Sequence, residues 1–189
     1  DNTHLSLPKH HPPPLNPPNT TTQNAPPPTQ LTLPPNVTFT YIPPTGSLDL
    51  TVCGLPQKYD ASKEFSSKKA VLVAVPGAFT PTCQVQHVQS YIDKLPELKA
   101  AGVDQVVFIA SNDQFVMAAW GKANGVKDDS ILFASDVGLE FSKSIGWDNG
   151  DRTQRYAIVV DHGKVVYADV DTERGSIAKS GAEAVLAKL

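Results

Sequence analysis

The sequence predicts an α/β fold, a mixed central sheet with helices on both faces and a strand hairpin added at the N-terminal side. Three observations carry this. Strand-like and helix-like segments alternate from about residue 70 to 145, which implies a largely parallel sheet. Residues 70–75 (AVLVAV) are wholly apolar, as a strand covered on both faces is. Residues 155–160 and 164–170 flank Asp161-His162-Gly163, a turn sequence that joins two antiparallel strands.

The elements follow in order. Residues 1–36 are dense in Pro, Thr and Asn and lack any aromatic residue. Such a segment buries too little apolar surface to offset its ordering entropy, so it reads as a disordered or polyproline-like tail ahead of a domain at 37–189. A passive extension is the plainer reading of the tail, and docking to a proline-binding domain is the other. Val37 to Tyr41 and Ser47 to Cys53 alternate in polarity around a Pro43-Pro44 and Gly46 turn, which predicts the opening hairpin. The buried strand 70–75 leads through the loop PGAFTPT into Cys83. A helix then runs on, interrupted at Pro96 and stopped at Gly102. Residues 106–110 form the next buried strand. Asn112 or Asp113 caps a helix through Ala123. A short strand at 131–134, a short helix at 138–145, the late hairpin and a closing helix at 178–189 complete the chain. This order is that of a thioredoxin-like sandwich.

Composition excludes several functions. The formal net charge is −3 over 189 residues, without the clustered basic surface that a grip on nucleic acid needs. No apolar run is long enough to predict a membrane span. The five histidines lack metal-ligand spacing, so no metal is expected. Two cysteines, Cys53 and Cys83, make neither a disulfide scaffold nor a CxxC pair.

Cys83 is the candidate nucleophile. At neutral pH only about three per cent of an ordinary thiol is thiolate, so a reactive cysteine needs a helix N-terminus or a fixed cation beside it. Cys83 follows an apolar strand and a Gly/Pro loop and opens a helix, which supplies the first. A lone cysteine is also commonly a small buried core residue.

The string VPGAFTPTC sets Pro76, Thr80 and Cys83 in the spacing P-x-x-x-T-x-x-C. It resembles the active-site signature of peroxiredoxins, and PGAFTPTCxxxHV resembles their peroxiredoxin 5 subfamily of fungal peroxisomal and allergen type. The likeness continues through GVDQVVFIASND, AAWGKANG, SKSIGW and QRYAIVVDHGKV and covers about residues 37–189.

The resemblance implies a thiol peroxidase for hydrogen peroxide and alkyl hydroperoxides that needs no metal, haem or flavin. Cys83 is then the peroxidatic cysteine. Thr80 hydrogen-bonds thiolate and peroxide, Pro76 shields the sulfur, and Arg155 holds the thiolate and polarises the peroxide. Arg152 is the second candidate arginine, and a surface ion pair is the plain alternative for Arg155. Cys53 matches the resolving cysteine, implying a Cys53–Cys83 disulfide, across a homodimer or within one chain, reduced by a thioredoxin-type donor. A one-cysteine cycle using glutathione, a redox sensor and a non-catalytic holdase are the alternatives. His87 reads as a helix-packing residue or as a tuner of the thiolate. Phe79 and Trp120 read as packing or dimer-contact aromatics. Ala187-Lys188-Leu189 varies the S-K-L peroxisomal address, with the cytosol as the other location.

Overall fold

The computed structural model describes residues 31–189. Seven strands form one sheet: β1 (Thr38–Tyr41), β2 (Gln57–Asp60), β3 (Lys69–Ala74), β4 (Gln105–Ala110), β5 (Ile131–Ser135), β6 (Arg155–Asp161) and β7 (Lys164–Asp171). Their order across the sheet is β2-β1-β5-β4-β3-β6-β7. The central β3, β4 and β5 are parallel, whereas β6, β7, β1 and β2 run antiparallel to their neighbours. The predicted mixed sheet is thus the observed one.

Helices cover both faces. The short α1 (Ala61–Ser67) and α5 (Glu140–Ser144) lie on one, while α2 (Val88–Asp93), α3 (Leu95–Ala100), α4 (Gln114–Ala123) and α6 (Ala182–Leu186) lie on the other. The period-2 geometry of a strand explains the central apolar run. Ala70, Leu72 and Ala74 enter the core with Phe65 and Phe141, and Val71 and Val73 enter the one with Tyr91 and Trp120. No helix among the described residues is long and apolar enough to cross a membrane.

Several boundaries differ from the sequence expectation. The opening hairpin exists, but its second strand is 57–60, not 47–53. The alternation in SLDLTVC has no face to bury: Leu48, Leu50 and Val52 are all exposed. Asp49 instead accepts hydrogen bonds from the Thr51 amide (2.8 Å) and hydroxyl (2.7 Å), which bends the chain. Strand β2 and helix α1 lack a sequence signal because Tyr59, Ala61 and Phe65 are their only buried residues. The helix predicted to break at Pro96 breaks at Lys94, and Pro96 sits in the first turn of α3, where its missing N–H costs nothing.

The closing helix starts at Ala182, not 178. The amides of Lys179 and Ser180 donate to the Asp171 carboxylate (3.0 and 2.9 Å) instead of winding a helix. One contact forms ahead of the start expected at residue 37. Leu31 is 5% exposed and belongs to the same core as Val37 and Phe39, so 31–36 packs on the domain. The rest of the Pro-rich segment lies outside the described residues.

Candidate active site

The loop between β3 and the helix that begins at residue 81 is fixed from three sides. The Val75 amide continues the sheet by donating to Ile109 O (3.0 Å), and Thr153 Oγ1 donates to Val75 O (2.7 Å). Asn112 Oδ1 accepts from the Ala78 amide (2.9 Å), and Arg152 Nη1 donates to Pro76 O (3.2 Å). Gly77 leaves room for this bond: a Cβ there would lie 2.7 Å from Arg152 Nη1 and would push the guanidinium aside. Phe79 adopts a φ of 61°, a conformation that non-glycine residues rarely hold without surrounding restraint.

The helix enters at residue 81 and passes through a π-helical stretch, Cys83–His87, before α2. Cys83 therefore lies in the first turn, fully buried. Both cysteines are free thiols. Gln84, next in the chain, is fastened to α4: its Oε1 accepts from Trp120 Nε1 (2.6 Å) and its Nε2 donates to Asn124 Oδ1 (2.7 Å).

Arg155, the first residue of β6, is 8% exposed and turns its guanidinium onto the sulfur. Nη2 lies 3.4 Å from Cys83 Sγ, and Nη1 lies 3.0 Å from His87 Nδ1. A guanidinium has no acceptor, so His87 accepts at Nδ1 and carries its proton on Nε2. That Nε2–H faces Ser180 O at 3.0 Å, which Tyr91 Oη also donates to at 2.7 Å. Ser180 Oγ in turn donates to Asp171 Oδ2 (2.5 Å). Burial pushes the His87 pKa down to about 4; the Ser180 carbonyl opposes this and the Arg155 charge reinforces it. Asp171 accepts further bonds from the Ser176 hydroxyl and the Lys179 and Ser180 amides. Burial disfavours its charge, but these donors outweigh burial and hold it below the usual carboxylate range. Asp171 pairs directly with Arg155 across the β6–β7 ladder.

The structure thus brings Cys83, Arg155, Thr80 and Pro76 to one loop and helix start. Thr80 differs in detail from the expectation. Its hydroxyl donates to Gly77 O (2.7 Å), not to the sulfur, and so presents lone pairs rather than a proton. Arg152 braces the loop and does not reach Cys83. His87 packs on Tyr91 and Phe108, as a helix-packing residue does, and also bonds Arg155. Trp120 is a buried packing residue, and Phe79, at 51% exposure, stands over it with centroids 6.5 Å apart.

Cys53 is not in this cluster. It is exposed, in a groove between the 42–54 segment and α4. Lys122 of α4 holds that segment by donating to the carbonyls of Asp49 and Val52. Sequence reasoning missed Asp171, Ser180, Tyr91 and Asn112. Each acts by holding another residue, and a single sequence carries no pattern for such a role.

Comparison with known proteins agrees with this geometry. The Redoxin family model matches residues 31–186. Peroxiredoxin AHP1 of Chaetomium thermophilum is 66% identical over 158 residues, which is 84% of this chain and 92% of that one. A Lipomyces kononenkoae protein named as a peroxisomal peroxiredoxin is 48% identical, over 82% of this chain and 97% of that one. Among solved structures, reduced Prx3 of Vibrio vulnificus in complex with hydrogen peroxide superposes with a TM-score of 0.70 at 37% identity, covering 83% of this chain and 92% of its own. A cysteine at a helix start under an arginine, on this sheet and with these relatives, makes the chain a member of the redoxin family and a peroxiredoxin, a thiol-dependent peroxidase of the thioredoxin-like superfamily.

Proposed function

We propose that Cys83 is the sulfur that attacks peroxide, that Arg155, Thr80 and Pro76 form its site, and that Cys53 closes the cycle. The observation that carries this is the 3.4 Å approach of the Arg155 guanidinium to a cysteine in the first turn of a helix. A fixed positive charge in a buried site stabilises negative charge on sulfur and on the departing oxygen far better than it would in water. Thr80, its own proton engaged by Gly77, accepts the peroxide O–H and sets the far oxygen in line with the sulfur. Pro76 walls the loop.

The thiolate attacks one peroxide oxygen. An S–O bond forms, the O–O bond breaks, and hydroxide or alkoxide leaves to take up a proton as water or alcohol. The product is a sulfenic acid on Cys83. The Cys53 thiol then displaces water from that sulfenic acid, giving a disulfide, and a thioredoxin-type dithiol returns both sulfurs to thiols. Because Cys83 is buried and Cys53 stands in a separate groove, we assign the disulfide to a homodimer. The exposed Leu48, Leu50, Val52 and Leu55, which flank Cys53 in the chain, supply apolar surface for such a contact.

One experiment with pre-reduced protein tests both halves. Cys83→Ser is expected to abolish peroxide consumption, and Arg155→Met to slow it about 10²–10³-fold. Undiminished turnover in Cys83→Ser overturns the assignment. After one equivalent of peroxide, a non-reducing gel is expected to show a two-chain band that Cys53→Ser lacks. A band that persists in Cys53→Ser removes Cys53 from the cycle and leaves a one-cysteine route with glutathione.

We also propose a peroxisomal location through Ala187-Lys188-Leu189. The tripeptide follows the end of α6 at Leu186, and the Lipomyces relative carries a peroxisomal name. A fluorescent protein fused ahead of the chain is expected to collect in peroxisomes and to lose that pattern when the three residues are deleted; an unchanged pattern refutes the signal.

A further inference from the structure

We propose that the entrance to Cys83 selects hydroperoxides that carry a carboxylate, through a cleft walled by Arg152, Arg155 and Arg174. The inference rests on the reading of Cys83 as the peroxidatic sulfur and adds the class of substrate that reaches it.

Cys83 is fully buried, and the open ground beside it is a cleft between residues 76–82, 149–155 and 171–175. Two features of that cleft are chemical rather than geometric. First, the chain contains three arginines among its 16 basic residues, and all three line this one cleft. None of them has a carboxylate within salt-bridge distance among the described residues. Arg152 is tethered to the loop by a bond to Pro76 O (3.2 Å), and Arg174 is exposed and lines the cleft from the 171–175 segment. Second, no Leu, Ile, Val, Met or aromatic side chain lines the cleft among the described residues. The remaining wall is threonine, amide, proline and glycine. An alkyl group therefore finds nothing to bury against, while a planar carboxylate finds guanidinium forks that match it in shape and charge.

Two acids share the cleft. The Asp171 carboxylate accepts four hydrogen bonds from residues 176–180, so its lone pairs are spent on that turn. Glu173 is exposed and lies beside Arg174 in sequence without pairing with it. Three guanidinium groups against these two leave the entrance positive, one of them already committed to the sulfur. The carboxylate takes no part in the chemistry. The hydroperoxide end loses its outer oxygen to Cys83, and the rest leaves as the hydroxy acid.

The test uses the reduced full-length protein and a matched pair, 3-hydroperoxy-3-methylbutanoate and its methyl ester. The second-order rate of sulfenic acid formation is measured in single turnover with no reductant present, beside hydrogen peroxide as reference. An exposed ion pair is worth a factor of about two to five, and two rim arginines give an expected preference of about five- to tenfold for the acid at low salt. The preference is expected to shrink towards unity at about 0.5 M salt, where the screening length falls to a few ångströms. Arg174→Gln is expected to reduce the acid-to-ester ratio and Arg174→Glu to abolish it. Equal rates for acid and ester in the wild-type protein at low salt overturn the proposal, as does a preference indifferent to salt. An Arg174→Glu effect confined to reduction by the protein dithiol also overturns it, and marks the arginines as a docking site for the reductant. Loss of hydrogen peroxide turnover in the wild type itself is a separate result: it removes the peroxidatic reading beneath.

Discussion

The Arg155 guanidinium is divided between two partners, and the second constrains the first. Nη2 serves the sulfur only while Nη1 is held by His87 Nδ1, and that nitrogen accepts only when the imidazole is neutral. A protonated His87 would set two cations face to face in a buried site. The protein enforces neutrality by burial, which places the His87 pKa at about 4 against an ordinary 6.5. The consequence for stability has a definite sign. Between pH 6.5 and pH 4 the unfolded chain takes up the His87 proton and the folded chain does not, so the folded state loses stability as pH falls through that window. The stability is fully present above pH 6.5, and its loss by pH 4 reaches at most about 3 kcal/mol. In His87→Gln the amide still accepts from Arg155 and donates to Ser180 but does not titrate. Urea midpoints followed from pH 7 downwards are expected to fall more steeply in the wild type than in His87→Gln. Parallel curves would show that His87 is not the titrating group.

At the scale of elements, what the sequence revealed depended on how many faces each element buries. The central strands 70–75 and 106–110 are legible because both faces are covered, which leaves unbroken apolar runs. The late hairpin is legible because its turn needs left-handed residues, and His162 (φ 48°) with Gly163 (φ 84°) provides them. Helix α4 is legible from its cap: Asp113 Oδ1 accepts from the amides of Phe115 and Val116. A single buried side chain left a signal only where the residues around it alternate or keep helical spacing, as around Phe39 in β1 and Leu98 in α3. Strand β2 shows only Tyr59 to the core, while the alternating Leu48, Leu50 and Val52 imitate a strand that has no sheet to join. The site divides in the same way. Pro76, Thr80, Cys83 and Arg155 were legible because a short motif and a strand end carry them. The direction of the Thr80 hydroxyl was not, since it depends on whether the Gly77 carbonyl or the sulfur is nearer. The Asp171–Ser180 turn was not either, because its amides could as well have begun a helix.

Across the whole molecule the sheet separates two cores, and this division lets stability and chemistry be tested apart. Cys83, His87's neighbour Tyr91, and Trp120 belong to the helix-rich side, whereas Leu31, Val37, Phe39 and Phe141 fill the other. Leu31 lies six residues before the start that composition suggests for the domain, yet only 5% of it is exposed. Leu33 packs against the same cluster. Burying one leucine is worth about 1.5–3 kcal/mol, and cutting it from a closed core costs about 2–5 kcal/mol. A chain that starts at residue 37 is therefore expected to be less stable than one that starts at residue 31 by about 2 kcal/mol or more, and Leu31→Ala in the full chain by a similar amount. For a domain of this size that is a fall of about 4–8 °C in Tm. Because Leu31 packs on one face of the sheet and the sulfur's helix on the other, the rate of peroxide reduction per folded molecule is expected to be the same in both truncations below their melting range. Equal thermal midpoints for the two chains would put the domain boundary at residue 37. Equal midpoints with unequal rates would show instead that the N-terminal segment reaches the site across the sheet.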